Sequence, residues 1–207
     1  MNKILLGILG AGLLFVIFVV LAGVSTYNGL VNRSQAVDAQ WAQVQNVYQR
    51  RADLIPNLVA TVSGAANFER NTLTEITEAR ASVGKVSLSP GATPTPTQLA
   101  EFEKAQGQLS SALSRLLVVA ENYPALKATE GFRTLQSQIE GAENRIAVER
   151  GRFNDASLDY NSAIRRVPAV FFAAALGFKE KAYFAATAGA DKPTAVQFDF
   201  SKPATAR

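Results

Sequence analysis

Two adjacent guanidiniums, Arg50 and Arg51, followed by the Asp53 carboxylate, form the most suggestive charged group in the sequence. Such a pair can grip a phosphate or carboxylate, on a partner protein or a lipid headgroup. The competing reading is structural, with a buried arginine answered by a carboxylate on another element, for which Glu143 and Glu149 are the candidates. Tyr27, Trp41 and Tyr48 offer an aromatic box, yet their multiples-of-seven spacing is that of a helix core. No carboxylates cluster tightly enough to nominate a general acid and base, and the glycines form no phosphate-binding loop.

What is missing narrows the chemistry further. The chain has 207 residues, 48% of them apolar and 18% charged, with no histidine and no cysteine. Those two side chains supply most zinc sites, all thiol chemistry and the base of Ser-His-Asp catalysis. No catalytic residue, cofactor or metal site is therefore expected. The 21 Lys and Arg exceed the 17 Asp and Glu by four, and the signs alternate along the chain. That is not the dense basic stripe of a nucleic-acid binder, so no nucleic-acid partner is expected.

The first element is hydrophobic. Residues 4–24 carry no charge, and at about 1.5 Å per residue they span the roughly 30 Å hydrocarbon core of a bilayer. The run is longer than the apolar region of a cleaved signal peptide. It is expected to stay as a single-pass anchor, residues 1–26, with the lipid bilayer as its partner. Lys3 lies on one side and Arg33 is the first cation on the other; this leans toward a cytoplasmic N-terminus and an exported, periplasmic domain.

Beyond the anchor a seven-residue period dominates. With Tyr27 at position a, the a and d positions run Tyr27, Leu30, Ser34, Val37, Trp41, Val44, Tyr48, Arg51, Ile55, Leu58 and Val62. This predicts one long amphipathic helix continuous with the membrane span, kinked rather than ended by Pro56. A short helix is expected from a capping box at Thr72 and Glu75 to a stop at Gly84. Residues 87–97 read as an exposed loop. Thr95, Pro96 and Gln98 then supply a cap, a first-turn proline and a capping-box acceptor for a third helix ending near Asn122. The fourth places Phe132, Ile139, Ile146, Phe153, Tyr160 and Val167 seven apart. The fold class is all-α: a transmembrane helix continuing into an antiparallel long-helix four-helix bundle over residues 27–185. With the first and fourth helices antiparallel, position 51 faces about position 142. Arg51 should then contact Glu143 or, between one and two turns away, Glu149, the former being nearer.

Residues 167–178 are twelve uncharged positions with three phenylalanines between Arg165-Arg166 and Lys179. They are too short to span a membrane. Three occupants fit: the bundle's own core, a second copy, or the membrane surface. The surplus of apolar surface makes Phe171, Phe172, Leu176 and Phe178 the candidate oligomer or membrane contact. Residues 186–207 lose all periodicity and are expected to be a mobile tail.

Several runs together resemble the LemA family: Tyr27-Asn28-x-Leu30-Val31, the stretch Arg50-Arg51-x-Asp53-Leu54-Ile55-Pro56-Asn57-Leu58-Val59-x-Thr61-Val62-x-Gly64, Thr77-x-Ala79-Arg80, Glu121-Asn122-Tyr123-Pro124-x-Leu126-Lys127-Ala128, Glu143-x-x-Ile146-Ala147 and Tyr160-Asn161. The resemblance covers about residues 27–184; Val167 before Pro168 departs from it, where relatives more often have an aromatic. It implies a membrane-anchored helical bundle of the bacterial envelope, here the inner membrane, with no established catalytic activity; magnetosome relatives suggest a membrane-organising role. The expected function is a non-catalytic membrane scaffold that self-associates, with a homo-oligomer as partner. The alternative is an adaptor recruiting another envelope protein, such as a protease.

Overall fold

The period of seven is carried on a single helix. In the computed structural model, which describes residues 3–65, 68–86 and 93–185, α1 covers Lys3–Ser63 without a break, about 90 Å at 1.5 Å per residue. Its side chains over residues 6–20 are all exposed, whereas every seam position between 37 and 62 is buried. The first part of α1 is thus long and apolar enough to cross a membrane and has no partner within the described chain. Pro56 lies inside α1. Proline removes the N–H that would bond the carbonyl four residues back, here that of Ala52. Arg80, on the next helix, takes its place, its Nε donating to the Ala52 carbonyl at 3.1 Å.

That next helix, α2, covers Arg70–Lys85. It begins before the expected capping box, so Thr72 is a buried helical residue bonded to Glu69 rather than a cap. Burial of Thr72 and Ile76 on one face decides this; Gly84 lies within the helix, which stops one residue later. The expected loop lies partly outside the described residues, at 87–92. The start of α3, Pro96–Ala120, matches its signals: Thr95 Oγ1 accepts from the Gln98 N–H, and Gln98 Oε1 accepts from the Thr95 N–H at 3.0 Å. A four-residue helix, α4 (Pro124–Lys127), then turns the chain into α5, Glu130–Arg165. Because α5 stops at Arg165, Val167 falls off the seam and is 74% exposed. A single turn, α6 (Ala169–Ala173), follows.

Cross-links fix the directions. Arg33 pairs with Asp159 at 3.0 Å and Arg51 with Glu143, so α1 and α5 are antiparallel neighbours. Glu75 meets Arg115 at 3.3 Å across antiparallel α2 and α3. Asp38 with Thr93, and Arg51 with Gln106, set α3 parallel to α1. The result is an up-down-up-down four-helix bundle. Its apolar interior falls into two clusters. One is built around Trp41, Phe102 and Phe153 on the side of the apolar span; the other, around Leu58, Leu116 and Phe132, lies at the far end.

Candidate functional site

The two clusters are separated by a polar layer centred on Arg51, which is 1% exposed. Its Nη1 donates to Glu143 Oε1 at 2.5 Å and to Ser110 Oγ at 2.8 Å. Its Nη2 donates to the Gln106 side-chain oxygen and reaches the Gln106 carbonyl at 3.5 Å. The guanidinium carbon sits 5.2 Å from the Tyr48 ring centroid, a cation–π distance. Three helices therefore converge on one cation: α1 supplies it, α3 supplies neutral acceptors, and α5 supplies the counter-charge. Glu143 is 40% exposed, so this pair is half-buried rather than fully desolvated.

Glu149 does not reach Arg51. It pairs with Arg152 Nη1 at 2.8 Å on its own helix. Arg50 is exposed, and Asp53 accepts from Gln49 Nε2 at 2.7 Å. The Arg50-Arg51-x-Asp53 run is thereby split between the inside and the outside of the bundle, and its two guanidiniums do not form a common grip. A cleft of about 590 Å³ opens over the layer, lined by Tyr48, Arg51, Glu103, Ser110, Glu143 and Arg150 among others. Its charges are answered from within: Arg150 Nη2 lies 2.7 Å from Glu103. Burial is the main reason the Tyr48 phenol is held above its ordinary value, outweighing the opposing pull of Arg150 and Arg51. Among the described residues no three His, Cys, Asp or Glu side chains converge as a metal site.

Trp41 is core, packed edge-on against Phe102 and Phe153 at 5.5 and 5.6 Å. Tyr27 is not, being 45% exposed and set against Phe178 at 5.7 Å. In residues 167–178 the side chains divide. Ala169 and Ala173 are buried, Phe172 and Phe178 are half-buried, and Val170, Phe171 and Leu176 face outward. Surplus apolar surface thus exists, on one side of the turn.

One feature has no counterpart in the periodic pattern. After Gly177, whose φ of +80° lies in the left-handed region that favours glycine, the chain returns along α5 in extended form. Asn154 and Asn161 clip it. The Asn161 amide donates to the Lys181 carbonyl and accepts from the Lys181 N–H, both at 2.8 Å. Asn154 does the same for Phe184 at 3.1 and 2.8 Å. Seven helical residues and three extended residues both cover about 10 Å, so the two clips fall in register. Phe184 then plugs the Trp41–Phe153 cluster with Arg150 over its face. The visible signal was a pair of asparagines one heptad apart, flanking the Tyr160 seam.

The LemA family pattern matches residues 40–200. The magnetosome protein MamQ of Magnetospirillum gryphiswaldense is 26% identical over 187 residues, 81% of this chain and 67% of its own. MamQ 2 of Paramagnetospirillum magneticum is 26% identical over 186 residues, with the same coverage. Protein LemA of Metamycoplasma hominis is 24% identical over 161 residues, 78% of this chain and 67% of its own. The long apolar N-terminal helix, the four-helix bundle and the matched residues agree, and the chain belongs to the LemA family.

Proposed function

We propose that the chain is a non-catalytic, membrane-anchored scaffold whose copies associate with one another in a bacterial inner membrane. The observation that carries this reading is the continuity of α1: one helix is both the apolar span and a wall of the bundle. Whatever orders the spans also orders the bundles. The span is unburied by the described residues of its own chain, and Gly7, Gly10 and Gly12 leave open space where a second helix can approach closely. Among the described residues the ion pairs are spread along the bundle rather than gathered at one centre. The relatives' names give a place, the magnetosome, and no reaction. The positive-inside reading of Lys3 supports an exported bundle.

The test is the mass of the particle extracted in mild detergent, measured by light scattering and viewed by electron microscopy. A large homo-oligomer is expected. A monomer that co-purifies in fixed ratio with a different envelope protein would replace this reading with the adaptor one.

A further inference from the structure

We propose that the turn over residues 167–177 is a second membrane contact, with Val167, Val170, Phe171 and Leu176 seated in the bilayer interface beside the anchor. The proposal rests on the reading of α1 as a membrane span. It follows from level and from composition.

The level is set by the antiparallel register of α1 and α5. Arg33 faces Asp159; the same register carried toward the span sets Tyr27 opposite the end of α5 at Arg165. The chain leaves α5 there, forms the turn and comes back at Phe178, which packs on Tyr27. Departure and return both lie at the level of Tyr27, three residues past Val24, where the apolar segment ends. The turn is held against α1 and α5 at that level by the buried Ala169 and Ala173. Its outward surface therefore lies at the level where the exposed apolar surface of the span ends.

The composition is that of an interfacial element. Phe171 is 72% exposed, and Val167, Val170 and Leu176 are exposed with it. A charged rim encloses them. Arg165 is satisfied by Glu180 and Lys181 by Asp38, but Arg166 and Lys179 have no carboxylate within salt-bridge distance among the described residues. An apolar tip with free cations behind it suits acyl chains below and anionic headgroups above. A symmetric contact between two copies would instead bring Arg166 and Lys179 toward their own equivalents, a like-charge cost that lipid does not impose. The free cations therefore favour lipid over a second copy.

Full-length Phe171→Trp protein, reconstituted in vesicles of phosphatidylcholine and phosphatidylglycerol, tests this directly. Trp41 in the parent protein provides the background signal. With phosphatidylcholine brominated at the upper acyl carbons, about half of the emission added by the variant should be lost, because an interfacial element sits within 5 to 10 Å of the headgroup boundary. Aqueous iodide should leave that emission unchanged. Iodide quenching without bromine quenching would overturn the proposal, and so would quenching that changes when the protein is diluted into excess lipid, the mark of a second copy. Leu176→Trp gives the same readout should the first variant fold poorly. Alkaline carbonate separates the two claims: release of the protein from vesicles overturns both the span and the turn contact, while retention without bromine quenching overturns the turn contact alone.

Discussion

Arg51→Ala removes the cation on which α1, α3 and α5 converge. The guanidinium is 1% exposed and has three side-chain partners, so the variant strands the Gln106 side chain and Ser110 without their donor and opens a cavity between the two apolar clusters. Breaking a buried pair costs about 3 to 5 kcal/mol. Glu143 is 40% exposed and can rehydrate, which places the expected loss at the lower end, about 3 kcal/mol. Arg51→Lys keeps the charge but cannot donate along two edges of a planar fork, and about half that loss is expected. Glu143→Gln keeps an acceptor but leaves the buried guanidinium without its counter-charge, and about 2 kcal/mol is expected. The assay is urea unfolding of the detergent-solubilised full chain followed by Trp41 fluorescence. Trp41 is buried in the bundle, so its emission reports on the bundle and not on the apolar segment. A loss below about 1 kcal/mol for Arg51→Ala, with an unchanged urea dependence, would refute the argument that desolvation of this cation matters.

Further outcomes are expected. Asn161→Ala removes three hydrogen bonds to the returning segment, with the Lys181 carbonyl, the Lys181 N–H and the Tyr183 hydroxyl, and Asn154→Ala removes two; each should cost about 1 to 2 kcal/mol, and trypsin should then cut at Lys179 or Lys181 at least as fast as at any site in the parent. Arg80→Ala should cost about 1 kcal/mol by freeing the Ala52 carbonyl, and Pro56→Ala, which restores a helical N–H to that carbonyl, should abolish the effect of the second substitution. In alkali, native Tyr48 keeps its proton above the ordinary phenol value of 10.0, where the unfolded chain has lost it, so stability is complete below that pH and falls as pH rises past it; absorbance at 295 nm should show this phenol, with Tyr160, ionising only as the protein unfolds. Replacing Arg51, Gln106 and Glu143 together by leucine should leave stability equal or higher, while spin labels at exposed Asn46→Cys and Val148→Cys should show a broader α1–α5 distance distribution; a single narrow distance would count against a role in register.

The long helices were legible because a seam repeated over five or more heptads leaves few alternatives. Trp41, Ile55, Leu58 and Val62 on α1, and Phe132, Ile139, Ile146 and Phe153 on α5, are all buried where the period puts them. The Thr95 cap was legible because proline and glutamine reinforce it locally. Local signals failed where burial overrode them, as at Thr72, whose helix begins before it and buries its side chain. The segment clipped by Asn154 and Asn161 left no period to find, since side chain-to-backbone bonds impose no pattern on the residues they hold. The Arg80 bond to Ala52 was hidden for the same reason: its acceptor is a backbone carbonyl whose need arises four residues away, at Pro56. Within the candidate site, the register between α1 and α5 could be reasoned from chain direction, but the acceptors from α3, Gln106 and Ser110, carried no sign of their role.

A bundle whose two longest helices repeat every seven residues has a specific weakness. Sliding α1 past α5 by one heptad re-forms nearly every apolar contact, so hydrophobic burial alone discriminates poorly between registers. The polar layer removes that degeneracy. In the observed register Arg51 meets Glu143; one heptad in either direction would set it against Arg150 or Gln136, the first repulsive and the second without charge. Glu143 would in turn face Val44 or Leu58, both fully buried now. A slip therefore leaves a cation and a carboxylate unpaired at once, a penalty larger than the stability the layer itself supplies. The same register sets the end of α5 level with Tyr27 and hence decides where residues 167–178 sit relative to the apolar span. One buried arginine, halfway along the bundle, thus controls the position of a surface far from it, because rigid helices convert a register into a height.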